Sequence, residues 1–346
     1  MPISIVVGGQ YGSEGKGKVA HFIARTRGAT AAVRVGGPNS GHTIYDTYGH
    51  SLILQQLPTA AILPDVVCVL GAGTYIDVAR LKLEMELTGV SKERLKVDPQ
   101  AVVIRESHRT SERSGELRAL IGSTETGTGA AVIERISRNS GVQFAENDIF
   151  LAPYIADTKS YLRGQLDRSA RLVIEGTQGF GLSVLHGPHY PYATSRDTTA
   201  AAFLSEVGLS PFDVDDVSMV IRTFPIRVGG HSGPLDKECT WADVARESRS
   251  QEPIIEYTSV TKSVRRVGWF SPELVLKAIQ ANRPTSIFLN HVDYFDSNCR
   301  TAGRATARAL SKVGQIENML GVKITHLGID EKTTLDLSRC LLASAA

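Results

Sequence analysis

The strongest constraint on this chain is a change of character at residue 8. An apolar β-branched run, Ile3-Ser4-Ile5-Val6-Val7, gives way at once to Gly8-Gly9-Gln10-Tyr11-Gly12-Ser13-Glu14-Gly15-Lys16-Gly17-Lys18-Val19. Five glycines and two lysines within residues 8–18 can continue neither a strand nor a helix. They predict a strand, a tight loop and then a helix over Val19–Arg25, with backbone amides, lysines and a helix N-terminus converging on an anion. A turn that needs glycine for geometry alone is the weaker reading. Gly12 to Lys18 nearly matches G-x-x-x-x-G-K-[ST], but Val19 stands where the metal-binding hydroxyl belongs, so the loop holds phosphate in another way.

The remainder of the chain sets the fold class. Apolar runs recur at Ala31–Val35, Val66–Leu70, Leu172–Ile174, Ser218–Ile221 and Ser286–Leu289, as buried strands of a parallel sheet do. Helical patterns lie between them: Asp77–Leu87, with Val78, Leu81 and Met85 on one side, and Pro272–Ala281, with Ser271 as cap. The expectation is an α/β fold with a mostly parallel central sheet and flanking helices, 1–346 forming one domain. No linker or repeat divides the chain.

Composition narrows the function classes. The 38 Lys and Arg nearly cancel 36 Asp and Glu, so no overall field suits nucleic acid or membrane, and any anion is captured locally. The four cysteines, Cys68, Cys239, Cys299 and Cys340, lack zinc-site or disulfide spacing. No apolar run approaches the ~18 residues of a membrane span and no signal peptide is evident, making the cytoplasm the expected compartment.

A second loop, Arg34-Val35-Gly36-Gly37-Pro38-Asn39-Ser40-Gly41-His42-Thr43, also comes directly after a predicted strand. It ends on an imidazole that can serve a charged oxygen. A lone histidine is more often a structural hydrogen-bonder.

Taken in order, QYGSEGKGK, GGPNSGHT, GSTETGTGAA, EGTQG, HGPHYPYATSRDTTA, TKSVRRVGW and LNHVD resemble the adenylosuccinate synthetases, P-loop-like ligases, over residues 1 to about 300. The resemblance implies a two-step reaction: a nucleoside triphosphate phosphorylates purine O6, then the aspartate amine displaces phosphate. It implies that Gly12, Ser13, Glu14, Gly15, Lys16, Gly17, Asn39, Gly41, His42 and Thr43 surround the donor phosphates, with His42 as general acid and Gly41 and Ser13 meeting Mg2+. Ser13, Lys16, His42 and Gln178 are the catalytic set. Ser13, Asn39, Thr124, Gln178 and Thr194 hold the acceptor monophosphate, joined across a homodimer by Arg138. Thr261, Arg265 and Arg266 clamp aspartate, an arginine fork suiting a carboxylate, and Asp293 reads the donor base. Without the family, Thr124 and Thr194 are helix caps, Arg138 a surface ion pair, and Arg265 and Arg266 solvated charges.

Two departures redirect the substrate. Where the family has an aspartate that takes the purine N1 proton, this chain has Ser13, which at its usual pKa is no base. A hydroxyl leaves room beside purine position 2 and accepts a hydrogen bond from a 2-amino group. Ser263 replaces an arginine near the ribose, fitting a deoxyribose. Both resemble a phage-type branch joining dGMP to aspartate to give N6-succino-2-amino-2′-deoxyadenylate. ATP is the expected donor, with dATP and GTP as alternatives. IMP with GTP, and a nucleotide-binding regulator without chemistry, are the competing readings. Glu14, a water or the phosphate itself are open as the N1 base.

Overall fold

The computed structural model describes residues 2–46, 48–258 and 262–337. Its centre is a nine-stranded sheet: β1 (Ile3–Gly8), β2 (Ala29–Arg34), β3 (Val67–Leu70), β4 (Leu95–Val97), β5 (Arg171–Glu175), β6 (Val214–Arg222), β7 (Ser286–Asn290), β8 (His326–Gly328) and β9 (Thr334–Asp336), in the spatial order β9-β8-β7-β6-β1-β5-β2-β3-β4. Only the edge strand β9 is antiparallel to its neighbour.

The apolar runs are continuous because both faces of the sheet are covered. Ile3, Ile5, Val7, Ile174, Met219, Ile221 and Leu289 pack into one core. Val6, Val173, Val220 and Phe288 pack on the opposite face against Val19, Ala20 and Ile23 of the first helix. Successive side chains of a strand point to opposite sides, so a strand covered on both faces is apolar at most positions and not at alternate ones. All six predicted runs are strands of this sheet.

The helix after the glycine loop spans Lys16–Arg27, beginning three residues earlier than the sequence predicted. Gly15 occupies its N-cap position at φ 92°, in the left-handed region open to glycine. Lys16, Gly17 and Lys18 are therefore its first turn, and their amides are left without intrahelical partners. The predicted helices at Val78–Thr88 and Pro272–Asn282 are present, and Asp77 caps the first by accepting from the Arg80 amide at 3.0 Å. Ser271 sits at the cap position of the second, but its hydroxyl donates to Glu273 instead of accepting from the helix. The short strands β4, β8 and β9 escape sequence reading, because three residues with a polar member carry no periodic signal. Cys68, Cys239 and Cys299 are free thiols, and among the described residues no helix is long and apolar enough to cross a membrane.

Parallel strands bring their C-terminal ends to one edge, where ligands of such sheets bind. Gly176 continues β5 at this edge: its amide donates to the Val6 carbonyl at 3.0 Å, and a Cβ there would run into the Phe203 ring and that carbonyl. Gly176→Ala is expected to cost about 1–3 kcal/mol through overpacking. The midpoint of urea unfolding checks this, and an unchanged midpoint would show that Phe203 yields freely.

Candidate functional site: a glycine-lined cavity at the strand ends

Four strands of the central sheet end on a buried polar residue: Arg34 on β2, Glu175 on β5, Arg222 on β6 and Asn290 on β7. Each is at most 1% exposed, and the register sets Arg34 beside Glu175 and Arg222 beside Asn290. Charges this deep persist only when paired. The pairing builds the site.

On one side, Glu175 accepts from Arg34 Nη1 at 2.7 Å and from the Thr59 amide at 2.7 Å, and its Oε1 lies 2.5 Å from His42 Nδ1. Arg34 also donates from Nη2 to the Ser40 carbonyl at 2.7 Å, fixing the second glycine loop. Burial alone would raise the Glu175 pKa, but His42, Arg34 and Thr59 reverse this and hold it below the usual carboxylate range. His42 is driven down to about 4, first by burial and then by Arg34, with Glu175 opposing. At neutral pH the imidazole is therefore neutral, and its proximity to Glu175 assigns the proton to Nδ1. Nε2 is left to the cavity that His42 lines. It becomes a donor when the ring gains a second proton, which an incoming polyanion favours.

On the other side, the first loop is braced from within. Glu14, fully buried, accepts from the amides of Gln10 (3.1 Å) and Gly12 (2.8 Å) and meets Lys16 Nζ at 2.6 Å. Its carboxylate supports the loop from behind and lines no cavity. This turns the sequence expectation around, since Glu14 shapes the glycine loop from behind and its carboxylate is turned onto that loop instead of lining the cavity, away from the place of an N1 base. The Gln10 side chain closes a pair of hydrogen bonds with the backbone of Arg222, and Asn290 donates to the Glu14 carbonyl at 2.7 Å. Arg222 donates to the Ser13 carbonyl at 3.1 Å and pairs with Glu256, which also receives Arg265 (2.7 Å) and the Tyr294 hydroxyl (2.8 Å). Burial would raise Glu256, but Arg222, with His291 and Arg265, pulls it far below the usual range, so it stays ionised.

Between these two networks opens a cavity of about 850 Å³. Gly12, Ser13, Gly15, Lys16, Gly17, Asn39, Gly41, His42, Thr43, Thr124, Gln178 and Arg265 all line it. Most of the predicted site residues thus meet in one place. A small second recess, lined by Asn39, Gln178, Thr194, Gly36 and Thr177, opens beside it. Thr124 and Thr194 cap no helix, which removes their structural reading.

Three predicted residues lie elsewhere. Arg266 lies outside the cavity lining and pairs with Glu238 at 2.6 Å, opening the short strand Arg266–Gly268 directly after Arg265. Arg138 is exposed just beyond the Thr128–Ile136 helix and forms no ion pair among the described residues. Asp293, 2% exposed, is held by Arg300 Nε at 2.8 Å and does not line the cavity. Thr261 lies outside the described residues. Sequence reading missed Glu175, Arg222 and Glu256 as site builders. For the first two the signal was a charged residue closing an apolar run.

The folded-state pKa of His42, about 4 against a free value of 6.5, means the unfolded chain binds that proton more tightly. The His42 contribution to stability is complete above pH 6.5 and is lost as pH falls toward 4. His42→Asn is expected to lose less stability than the native chain between about pH 7 and about pH 4.5, measured as urea midpoints. Equal losses would place the acid-sensitive group elsewhere.

The adenylosuccinate synthetase family profile matches residues 5–150 and 142–302. The adenylosuccinate synthetase of Methanocaldococcus jannaschii is 36% identical over 343 residues, covering 96% of each chain. That of Archaeoglobus fulgidus is 33% identical over 346 residues, covering 98% of this chain and 99% of the relative. Among solved structures, the succinoaminodeoxyadenylate synthetase (PurZ) of cyanophage S-2L, bound to dGMP and to dATP as an energy donor, superposes with a TM-score of 0.82 at 30% identity, covering 99% of this chain and 97% of that one. The fully ligated adenylosuccinate synthetase of Plasmodium falciparum shares the fold, with a TM-score of 0.84 at 20% identity and coverage of 97% and 100%. A glycine-rich loop at a strand end, a buried carboxylate–histidine pair facing it and matches along nearly the whole chain lead to one conclusion: this chain belongs to the adenylosuccinate synthetase family of nucleoside-triphosphate-dependent carbon–nitrogen ligases.

Proposed function

We propose that the chain joins aspartate to carbon 6 of dGMP, with ATP or dATP as phosphoryl donor, giving N6-succino-2-amino-2′-deoxyadenylate. The observation that carries this reading is Ser13. It lies exposed on the cavity wall at the tip of the phosphate loop, where its hydroxyl can accept from a purine 2-amino group. A carboxylate in the same place would be longer and charged. The similarity to a protein bound to dGMP and dATP supports the same substrates.

In this reading, the first-turn amides of the Lys16–Arg27 helix and Lys16 hold the donor phosphates. O6 of the purine attacks the terminal phosphorus as the N1 proton passes to a water or to the phosphate itself, and the nucleoside diphosphate departs; the aspartate amine then attacks carbon 6, phosphate leaves and the amine gives up a proton to it. His42, held by Glu175, supplies a hydrogen bond or proton to the phosphoryl oxygens. Gln178, Asn39, Thr124 and Thr194 hold the acceptor, and Arg265, pre-oriented by Glu256, takes the aspartate carboxylate. Magnesium fits the oxygen donors here, because it keeps phosphate and water ligands and needs only one or two from protein, for which Ser13 and Gly41 line the cavity. When bound, it neutralises phosphoryl charge. In this reading Arg138 serves the cavity of a second copy in a homodimer, and Ile133 and Ile136, 62% and 68% exposed on the helix before it, offer apolar surface for that contact.

The archaeal relatives, all adenylosuccinate synthetases at 33–36% identity, favour a second reading with IMP and GTP. Phosphate release with aspartate and magnesium separates the two when dGMP, GMP and IMP are compared as acceptors. The expected order places dGMP first, whereas faster turnover of IMP would establish the second reading. Ser13→Asp is expected to lower turnover of dGMP about tenfold or more, the equivalent of one hydrogen bond to a site group, ~1.4 kcal/mol. It should raise turnover of IMP. If no acceptor reacts while nucleotides still bind, the chain is a regulator.

A further inference from the structure

Aspartate carries two carboxylates, and Arg265 accounts for one. Arg266, which the sequence offered as a second fork, is engaged with Glu238 outside the cavity lining. The lysines that line the cavity are committed elsewhere. Lys16 meets Glu14 at 2.6 Å, and Lys18 donates to the carbonyls of Asp330 and Thr333 at 2.8 and 3.4 Å. Among the described residues one guanidinium besides Arg265 lines the cavity, that of Arg118. It stands on the short helix Leu117–Ile121, outside every motif that carries the family resemblance.

The fold sets Arg118 on the same wall as Arg265. Gly122, directly after the short helix, packs so closely on the 229–232 loop that an added Cβ would come within 3.2 Å of the Ser232 Cβ. Gly229 in that loop lies in turn against the carbonyl of Val264, the residue before Arg265; an added Cβ there would come within 2.9 Å of it. Gly122, Gly229 and Val264 all line the cavity. The two arginines differ in how they are held. Arg265 is 14% exposed in its pair with Glu256, whereas Arg118 is 61% exposed and its ion-pair partner, Glu125, lies 3.2 Å away. Water and salt screen a pair of the second kind, so Arg118 can exchange Glu125 for a ligand carboxylate at little cost.

We propose that Arg118 takes the second carboxylate of aspartate. This rests on the reading that aspartate is the incoming amine, and it names the residue that separates a dicarboxylate from amino acids with one carboxylate. Each guanidinium fork bonds both oxygens of one carboxylate, and an amino acid lacking the second carboxylate leaves one fork without its anion.

Phosphate release at varied aspartate, with whichever of dGMP, GMP and IMP the native chain turns over fastest, tests the proposal. Arg118→Gln is expected to raise the KM for aspartate about tenfold or more, the loss of one charge-assisted pair, while the KM values of acceptor and donor stay within about twofold. Arg118→Lys, which keeps the charge without the fork, should fall between. Glu125→Gln separates a substrate contact from support of the loop. Released from its partner, Arg118 should then bind aspartate as well as in the native chain or better, whereas a pair that only braces the loop would give both variants the same loss. An aspartate KM within about twofold of native in Arg118→Gln overturns the proposal. So does an equal rise in Glu125→Gln, or a rise confined to the acceptor KM, which would make Arg118 a ligand of the monophosphate. A native chain that releases no phosphate with any acceptor overturns the ligase reading itself, and this inference with it, before any variant is compared.

Discussion

The site depends on one buried arrangement, the Glu175 carboxylate shared by Arg34, His42 and Thr59. An ionised carboxylate with no exposure carries a desolvation penalty of several kcal/mol unless each oxygen is met. Meeting them draws together the ends of β2 and β5, the hairpin that begins at His42 and the turn at Thr59. Removing any one partner leaves a charge or an imidazole stranded. The second glycine loop is held in shape by this cluster, through Arg34 and the Ser40 carbonyl, more than by its own composition.

The opposite wall uses the same device with other residues. Arg222 reaches from the Ser13 carbonyl to Glu256, and Glu256 reaches on to Arg265. The loop proposed to cradle phosphate and the arginine proposed to take aspartate are thus joined through a buried arginine and a partly buried glutamate. Neither side chain is free to find a new rotamer without breaking a charge-assisted hydrogen bond. Reacting groups so held lose little freedom when substrate arrives, which is where positioning contributes to rate.

Much of this was legible in the sequence because it rests on local rules. The continuous apolar runs of β1, β2, β3, β5, β6 and β7 reflect burial on both faces, and glycine after β1 reflects backbone geometry. The interior supports were harder to see. Glu175, Arg222 and Asn290 each fall one residue past the end of a predicted strand, where a polar residue reads as a loop beginning. Their partners are remote in sequence: Glu175 lies 133 residues from His42, and Arg222 209 from Ser13. Glu14 was misplaced for a related reason. A glutamate inside a phosphate loop looks as if it faces ligand, and only the folded loop shows its oxygens turned onto the amides of Gln10 and Gly12. Arg265 and Arg266 looked equivalent until the folded chain gave them different partners, Glu256 for one and Glu238 for the other.

Ser13 holds a backbone conformation at φ 55° that non-glycine residues seldom adopt, yet among the described residues its side chain makes no bond that maintains it. The conformation is imposed through the carbonyl by Arg222 and from beneath by Glu14. The tip of the loop is therefore a socket whose walls are built from other residues. A side chain can be exchanged there without rebuilding the fold, so under the role proposed for residue 13 a single exchange would be enough to change the purine accepted.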